Sequence, residues 1–230
     1  MKSAFTLGLA TLLLLGGCVN IVHDADKAIS QALDNQGEDY QLLGTKQYGN
    51  HIVCGTYRTF DSWGKPGGIR RFIYRDSRLY MTVSSQDQAV FCSDSPEDSL
   101  EQQFGIVLDN NSRASYRQLM KDMYHLSDAL ERYYSTQSYY PTTEQGLQAL
   151  VSKPTNGLLI RKYPDKAYLG TLPQDPWGQA YQYEGPEFAG AKTPFTLWSL
   201  GADGKPGGKG LAADVRFDML PYLEYAAERL

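Results

Sequence analysis

The sequence predicts an α+β protein in two parts: a small antiparallel β region, then a long helix followed by a second antiparallel hairpin. Three observations predict it. From about residue 40 to residue 93, short runs rich in β-branched and aromatic residues alternate with turn-forming clusters. From Tyr116 to Tyr134, apolar residues recur every three or four positions. Beyond Pro141, proline-marked breaks lead into two facing strand candidates, AYQYE and TPFTLWS. A chain of 230 residues has room for one large domain or two small ones.

The chain opens MKSAFTLGLATLLLLGGCVN. Lys2 is a short positive region, and Phe5 to Leu15 is an apolar run too short for a comfortable permanent span. Leu15-Gly16-Gly17-Cys18 resembles a bacterial lipobox. That resemblance implies a signal peptide over residues 1–17, diacylglycerol on the Cys18 thiol and an acyl group on its new amine. An ordinary signal peptide with an incidental cysteine is the alternative. Val19 is not aspartate, which by resemblance to Gram-negative sorting implies the outer membrane, facing the periplasm or the cell surface. AFTLGLATLLLL resembles a prepilin start superficially. It lacks glycine before Phe5 and glutamate four residues after it, so prepilin processing is rejected.

Three cysteines are present, and lipidation of Cys18 leaves Cys54 and Cys92 in an oxidising compartment. They are expected to pair, for about 4 kcal/mol on the chain-entropy account. Two free thiols are the alternative. The formal charge of −4 becomes −5 once Lys2 is removed. A mildly acidic chain argues against nucleic acid and against a basic membrane-binding patch.

Residues 18–39 are polar, with one weak amphipathic pair in Ile29 and Leu33, and read as a lipidated tether that has room for a short helix on that pair. Residues 40–108 read as the β-rich region. HIVCGTYR, IRRFIYRD, RLYMTVSS and QAVFCS are its strand candidates, and the disulfide would tie the first to the last. SDSPEDSLEQQ reads as an acidic hinge and FGIVL as a further apolar segment. Ser112 or Ser115 is expected to cap the long helix. Its stripe comprises Tyr116, Leu119, Met120, Met123, Leu126, Leu130, Tyr133 and Tyr134, read as core. Thr142 or Thr143 then caps a short helix reaching about Ser152.

YPTTEQGLQALV, the YL..LPQDPWG..YQY run and SLGADG closely resemble the major pseudopilin of the type II secretion system, general secretion pathway protein G. The resemblance covers residues 114–215, with three motifs in the right order. It implies that residues 109–230 form a pseudopilin-like domain, a long helix packed on a small antiparallel sheet. A pseudopilin also needs a methylated N-terminal phenylalanine, a glutamate after it and an apolar half-helix. This sequence places a lipobox and a cysteine-bearing β region there instead, so filament formation is not carried over.

The same resemblance implies calcium at SLGADGKPGGKGLAADV. Leu200 and Lys205 would give carbonyl oxygens, and Asp203 and Asp214 carboxylates. Relatives often carry a second acid where Ala213 stands, or a glutamate where Lys209 stands. With neither, the expected site is weak. A metal-free loop, with both aspartates accepting backbone N–H groups, is the alternative. The phosphate readings fail: Gly208-Lys209 lacks the following Ser or Thr, and GKGLAA lies in no βαβ unit.

His23, His51 and His125 are scattered, and no nucleophile or paired-acid motif accompanies them. No catalysis and no small-molecule substrate are expected. Two functions remain open. One is an outer-membrane lipoprotein acting as a non-catalytic accessory or interaction module, with secretion-system or pilus-like proteins as partners. The other is a stand-alone calcium-stabilised structural or surface lipoprotein.

Overall fold

β-branched and aromatic residues at alternate positions build the first part of the chain in a computed structural model, which describes residues 21–34, 38–156, 160, 162–186 and 195–229. The expected lipobox, with Cys18, lies outside the described residues. Two compact units divide at Met81 and Thr82. Among the described residues no helix is long and apolar enough to cross a membrane.

In the first unit, β1 (Asp39–Tyr48), β2 (Ile52–Phe60), β3 (Pro66–Arg75) and β4 (Arg78–Tyr80) form an antiparallel sheet in that order. Register places Val53 opposite Tyr74, Gly55 opposite Phe72 and Tyr57 opposite Arg70. Tyr40, Leu42, Val53, Tyr57, Phe72 and Tyr74 thereby join one cluster, which Ala25, Ile29 and Leu33 of α1 (Ile21–Asp34) complete. A Cβ on Gly55 would lie 2.6 Å from the Phe72 ring, so only glycine admits that ring. Tyr40 anchors the helix by donating to the Asp26 carboxylate at 2.7 Å. Burial, first, and that carboxylate push its phenol up to about 12.

The short helix expected within residues 18–39 is present and longer than a turn or two, and its described part packs into a core rather than forming a free tether. Ala25, Ile29 and Leu33 repeat at four-residue spacing, and alanine made the stripe look weak. β1 went unread because its outer edge is polar and exposed.

QAVFCS is not a strand. It belongs to α2 (Ser85–Phe91), entered through a capping box. The Asp87 N–H donates to Ser84 Oγ at 2.9 Å, and the Ser84 N–H donates to the Asp87 carboxylate at 3.0 Å. Cys92 ends this helix, so the Cys54–Cys92 disulfide joins a strand to a helix end, not the first and last strands of one sheet. SDSPEDSLEQQ is not a hinge either. It contains α3 (Pro96–Phe104), with Pro96 at the start, Glu97 and Asp98 in the first turn and left-handed Gly105 beyond the end. Val90, Leu100, Ile106 and Leu108 enter the second unit's core, so residues 82–108 belong there rather than with the β region.

α4 (Arg113–Gln137) is the long helix, and Tyr116, Leu119, Met123, Leu126, Leu130 and Tyr133 are buried along it. Met120 and Tyr134 lie at the stripe's edges, with Tyr134 42% exposed. Ser112 occupies the cap position, but its hydroxyl donates to the Val107 carbonyl at 3.0 Å. Asp109 does the capping: one carboxylate oxygen accepts from Ser112 N–H at 2.8 Å and Asn111 N–H at 2.9 Å. Hydrogen bonds from Ser112 hold the Asp109 carboxyl below the usual range.

The expected short helix is a 3₁₀ turn, Leu147–Leu150. Thr142 and Gln145 exchange hydrogen bonds in front of it, at 3.1 and 3.2 Å. β5 (Gln182–Glu184), β6 (Thr196–Ser199) and β7 (Val215–Arg216) form the second antiparallel sheet. α5 (Leu220–Arg229) buries Leu220, Leu223 and Ala226. Its Tyr222 lies between the rings of Phe91 and Phe104, with centroids 5.1 and 5.4 Å away.

Candidate functional site

The loop from Leu200 to Asp214 connects β6 to β7. Its ends are drawn together by the Ala202 N–H, which donates to the Leu211 carbonyl at 2.8 Å. At Gly208, with φ +88°, an added Cβ would sit 2.2 Å from the Ala212 carbonyl oxygen. The loop can close this tightly only with glycine there.

Asp203 accepts the Lys205 N–H at 3.0 Å, and Asp214 accepts the Gly207 N–H at 2.9 Å. Both aspartates thus take the backbone bonds of the metal-free alternative. Asp214 differs in one respect: its Oδ1 is buried without a partner. A carboxylate oxygen in that state loses its hydration with nothing in return, and a cation would supply the missing interaction. That one oxygen is the feature of the loop that points to a cation; Asp203 and the carbonyls of Leu200 and Lys205 lie on the same loop. Among the described residues no group of three or more His, Cys, Asp or Glu side chains converges on a metal position.

Two neighbours brace the loop. Helix α3 ends at Gly105, whose carbonyl accepts the Gly210 N–H at 2.7 Å. Tyr116 of α4 donates its hydroxyl to the Gly210 carbonyl at 2.9 Å. Burial, then the Asp109 charge, push the Tyr116 phenol up to about 12, so it remains a donor.

The sequence reading missed Asp175. Its side chain is the knot between two motifs. One oxygen accepts from Trp177 N–H at 3.1 Å and Gln179 N–H at 2.8 Å, closing the turn in LPQDPWG. The other accepts the Ser199 hydroxyl at 2.6 Å, and Ser199 Oγ accepts the Gly201 N–H at 3.0 Å. Asp175 and Ser199 are both buried, at 4% and 0% exposure. The Asp-Pro-x-Gly pattern signalled the turn; the bond to Ser199 is tertiary and left no trace in spacing.

The second unit thus combines a long amphipathic helix, a short three-stranded sheet and a glycine-rich connecting loop. The family model described as "Type II secretion system (T2SS), protein G" matches residues 106–218. The type II secretion system core protein G of Vibrio cholerae is 44% identical over 109 residues, 47% of this chain and 72% of that protein. The core protein G of Pseudomonas aeruginosa is 47% identical over 94 residues, 41% of this chain and 64% of that protein. A crystal structure of the major pseudopilin from the type 2 secretion system of enterohaemorrhagic Escherichia coli is 37% identical, with a TM-score of 0.41. That match covers 48% of this chain and 96% of that one. The chain belongs to the type II secretion system protein G family.

Proposed function

We propose that this chain is a non-catalytic accessory or interaction module of type II secretion, lipid-anchored through Cys18 to the periplasmic face of the outer membrane. The observation that carries the reading is where the family match stops. It begins at residue 106, and a separate helix-on-sheet unit precedes it. The globular domain is therefore kept, while a lipobox and that unit stand where a pseudopilin carries its assembly helix. Fold alone does not fix a job, so the reading rests on the family match and the lipobox together.

Two experiments test it. Fatty-acid labelling of cells should mark the protein and spare Cys18→Ser. Pull-down of the tethered protein should enrich secretion components over an unrelated lipoprotein. Absence of enrichment would leave the stand-alone lipoprotein reading in its place.

The loop's place in this function is to hold calcium as a structural cross-link. Asp214 and Asp203 supply the charge, and the carbonyls of Leu200 and Lys205 complete the protein's share. Millimolar calcium should raise the melting temperature, and Asp203→Ala should remove the rise. An identical melting curve with and without calcium would discard the site.

A further inference from the structure

The first unit carries a surface that neither the family match nor the loop explains. Hairpin β2–β3 ends in Asp61-Ser62-Trp63-Gly64-Lys65, and residues 61–71 are all exposed. Trp63 is 92% exposed, and Ile69 along β3 is 60% exposed. The tip is built to hold that indole outward. Asp61 accepts the Trp63 N–H at 2.9 Å and the Lys65 N–H at 2.8 Å through one carboxylate oxygen. The Gly64 N–H donates to the Asp61 carbonyl at 2.9 Å, and the Asp61 N–H to the Lys65 carbonyl at 3.1 Å.

Charge concentrates on the same hairpin. Residues 58–78 carry Arg58, Lys65, Arg70, Arg71, Arg75 and Arg78 against only Asp61 and Asp76, in a chain whose net charge is −4. Lys65, Arg70 and Arg71 are exposed and belong to none of the ion pairs among the described residues.

We propose that the β2–β3 hairpin docks on an anionic phospholipid surface, with Trp63 entering the headgroup layer and Lys65, Arg70 and Arg71 on the phosphates. Charge and composition favour lipid over a protein partner. Trp63 and Ile69 are the large exposed hydrophobics on this hairpin among the described residues, and cations surround them. The core of a protein interface is instead depleted of charged residues. An amphipathic ring beside long cationic side chains suits a headgroup layer. Arg70 and Arg71 also guard an open edge, because β4 pairs only with Ile73, Tyr74 and Arg75. Edge protection does not account for an indole held out in water. The proposal goes beyond secretion and does not depend on the Cys18 lipid. The hairpin would add a second, salt-sensitive attachment, and stable anchoring generally takes two signals.

The test uses residues 18–230 with Cys18→Ser, so that neither an attached lipid nor the apolar run Phe5–Leu15 contributes. The probes are vesicles of phosphatidylcholine mixed with phosphatidylglycerol, and vesicles of phosphatidylcholine alone. The mixed vesicles should bind the protein, with loss on added salt. Trp63→Ser should weaken binding about tenfold, as expected for one side chain's apolar transfer. Reversing Lys65, Arg70 and Arg71 to glutamate should weaken it by at least a hundredfold, since each cation near the surface contributes about fivefold. Brominated lipid should quench tryptophan emission in the parent and not in Trp63→Ser. Unchanged melting temperatures would show that the variants fold. Equal binding by parent and variants, equal binding to phosphatidylcholine alone, or no quenching would each overturn the proposal. Failure here would leave fatty-acid labelling and pull-down untouched.

Discussion

In the first unit β2 pairs with β1 from Asp39 to Tyr48 and with β3 from Ile52 to Phe60, close to its whole length on both sides. In the second unit β6 shares three residue pairs with β5 and two with β7. The first sheet is held by its own ladder. The second is too short for that, and side chains reaching distant backbone or distant side chains take the ladder's place. Tyr116 bonds to Gly210, Tyr183 to Pro141, Arg132 to Tyr168 and Asp175 to Ser199. A unit held by backbone tolerates changes of side chain outside its core. A unit held by a few polar side chains depends on each of them, and all of these residues lie within the stretch that the protein G model matches, 106–218.

The largest effect expected is on the Cys54–Cys92 bond. Cys92→Ser should cost about 4 kcal/mol in denaturant unfolding. Reductant should lower the midpoint of the parent and leave the variant's unchanged.

Next comes the contrast itself. Asp175→Ala should cost about 3 kcal/mol, since it leaves two backbone N–H groups and the buried Ser199 hydroxyl without their acceptor. Thr56→Ala, a polar change on β2, should stay within about 0.5 kcal/mol. Equal costs would break the distinction between the units.

Tyr40→Phe should cost about 1 kcal/mol by removing the bonds to Asp26. The Tyr40 phenol is raised in the folded state, to about 12 against an ordinary 10. Its contribution is therefore complete below pH 10 and lost as pH rises toward 12. Parent and Tyr40→Phe should converge in stability over that alkaline window.

The smallest effect concerns Asp109, whose carboxyl is lowered from its ordinary 3.8 by Ser112. Its contribution is present above that value and fades as pH falls below it. Asp109→Asn should be the less stable protein at neutral pH, with the gap closing in acid. A gap independent of pH would show that the carboxylate charge plays no part in starting α4.

How well the sequence could be read follows the same division. The α4 stripe was plain because eight large apolar residues repeat across it, and YPTTEQGL, LPQDPWG and SLGADG fell on turns and strand ends as expected. QAVFCS deceived because Val90, Phe91 and Cys92 favour strands individually, while Ser84 and Asp87, the box that starts the helix, sit outside the quoted run. The acidic residues of α3 looked like a hinge, yet Glu97 and Asp98 occupy the helix start, where the dipole favours them. α1 showed only as a weak pair, Ile29 and Leu33, because its third buried residue is Ala25. The link from Asp175 to Ser199 spans 24 residues and has no periodicity to betray it. Net charge, read over the whole chain, also concealed the cations gathered around Trp63.

The proposal that this protein G domain, carried on a lipid anchor, serves secretion is tested most directly by the amount of a type II substrate that cells release into the medium. Deleting the gene should lower release, the parent gene should restore it, and Cys18→Ser should fail to restore it. Release unchanged by the deletion would contradict the account.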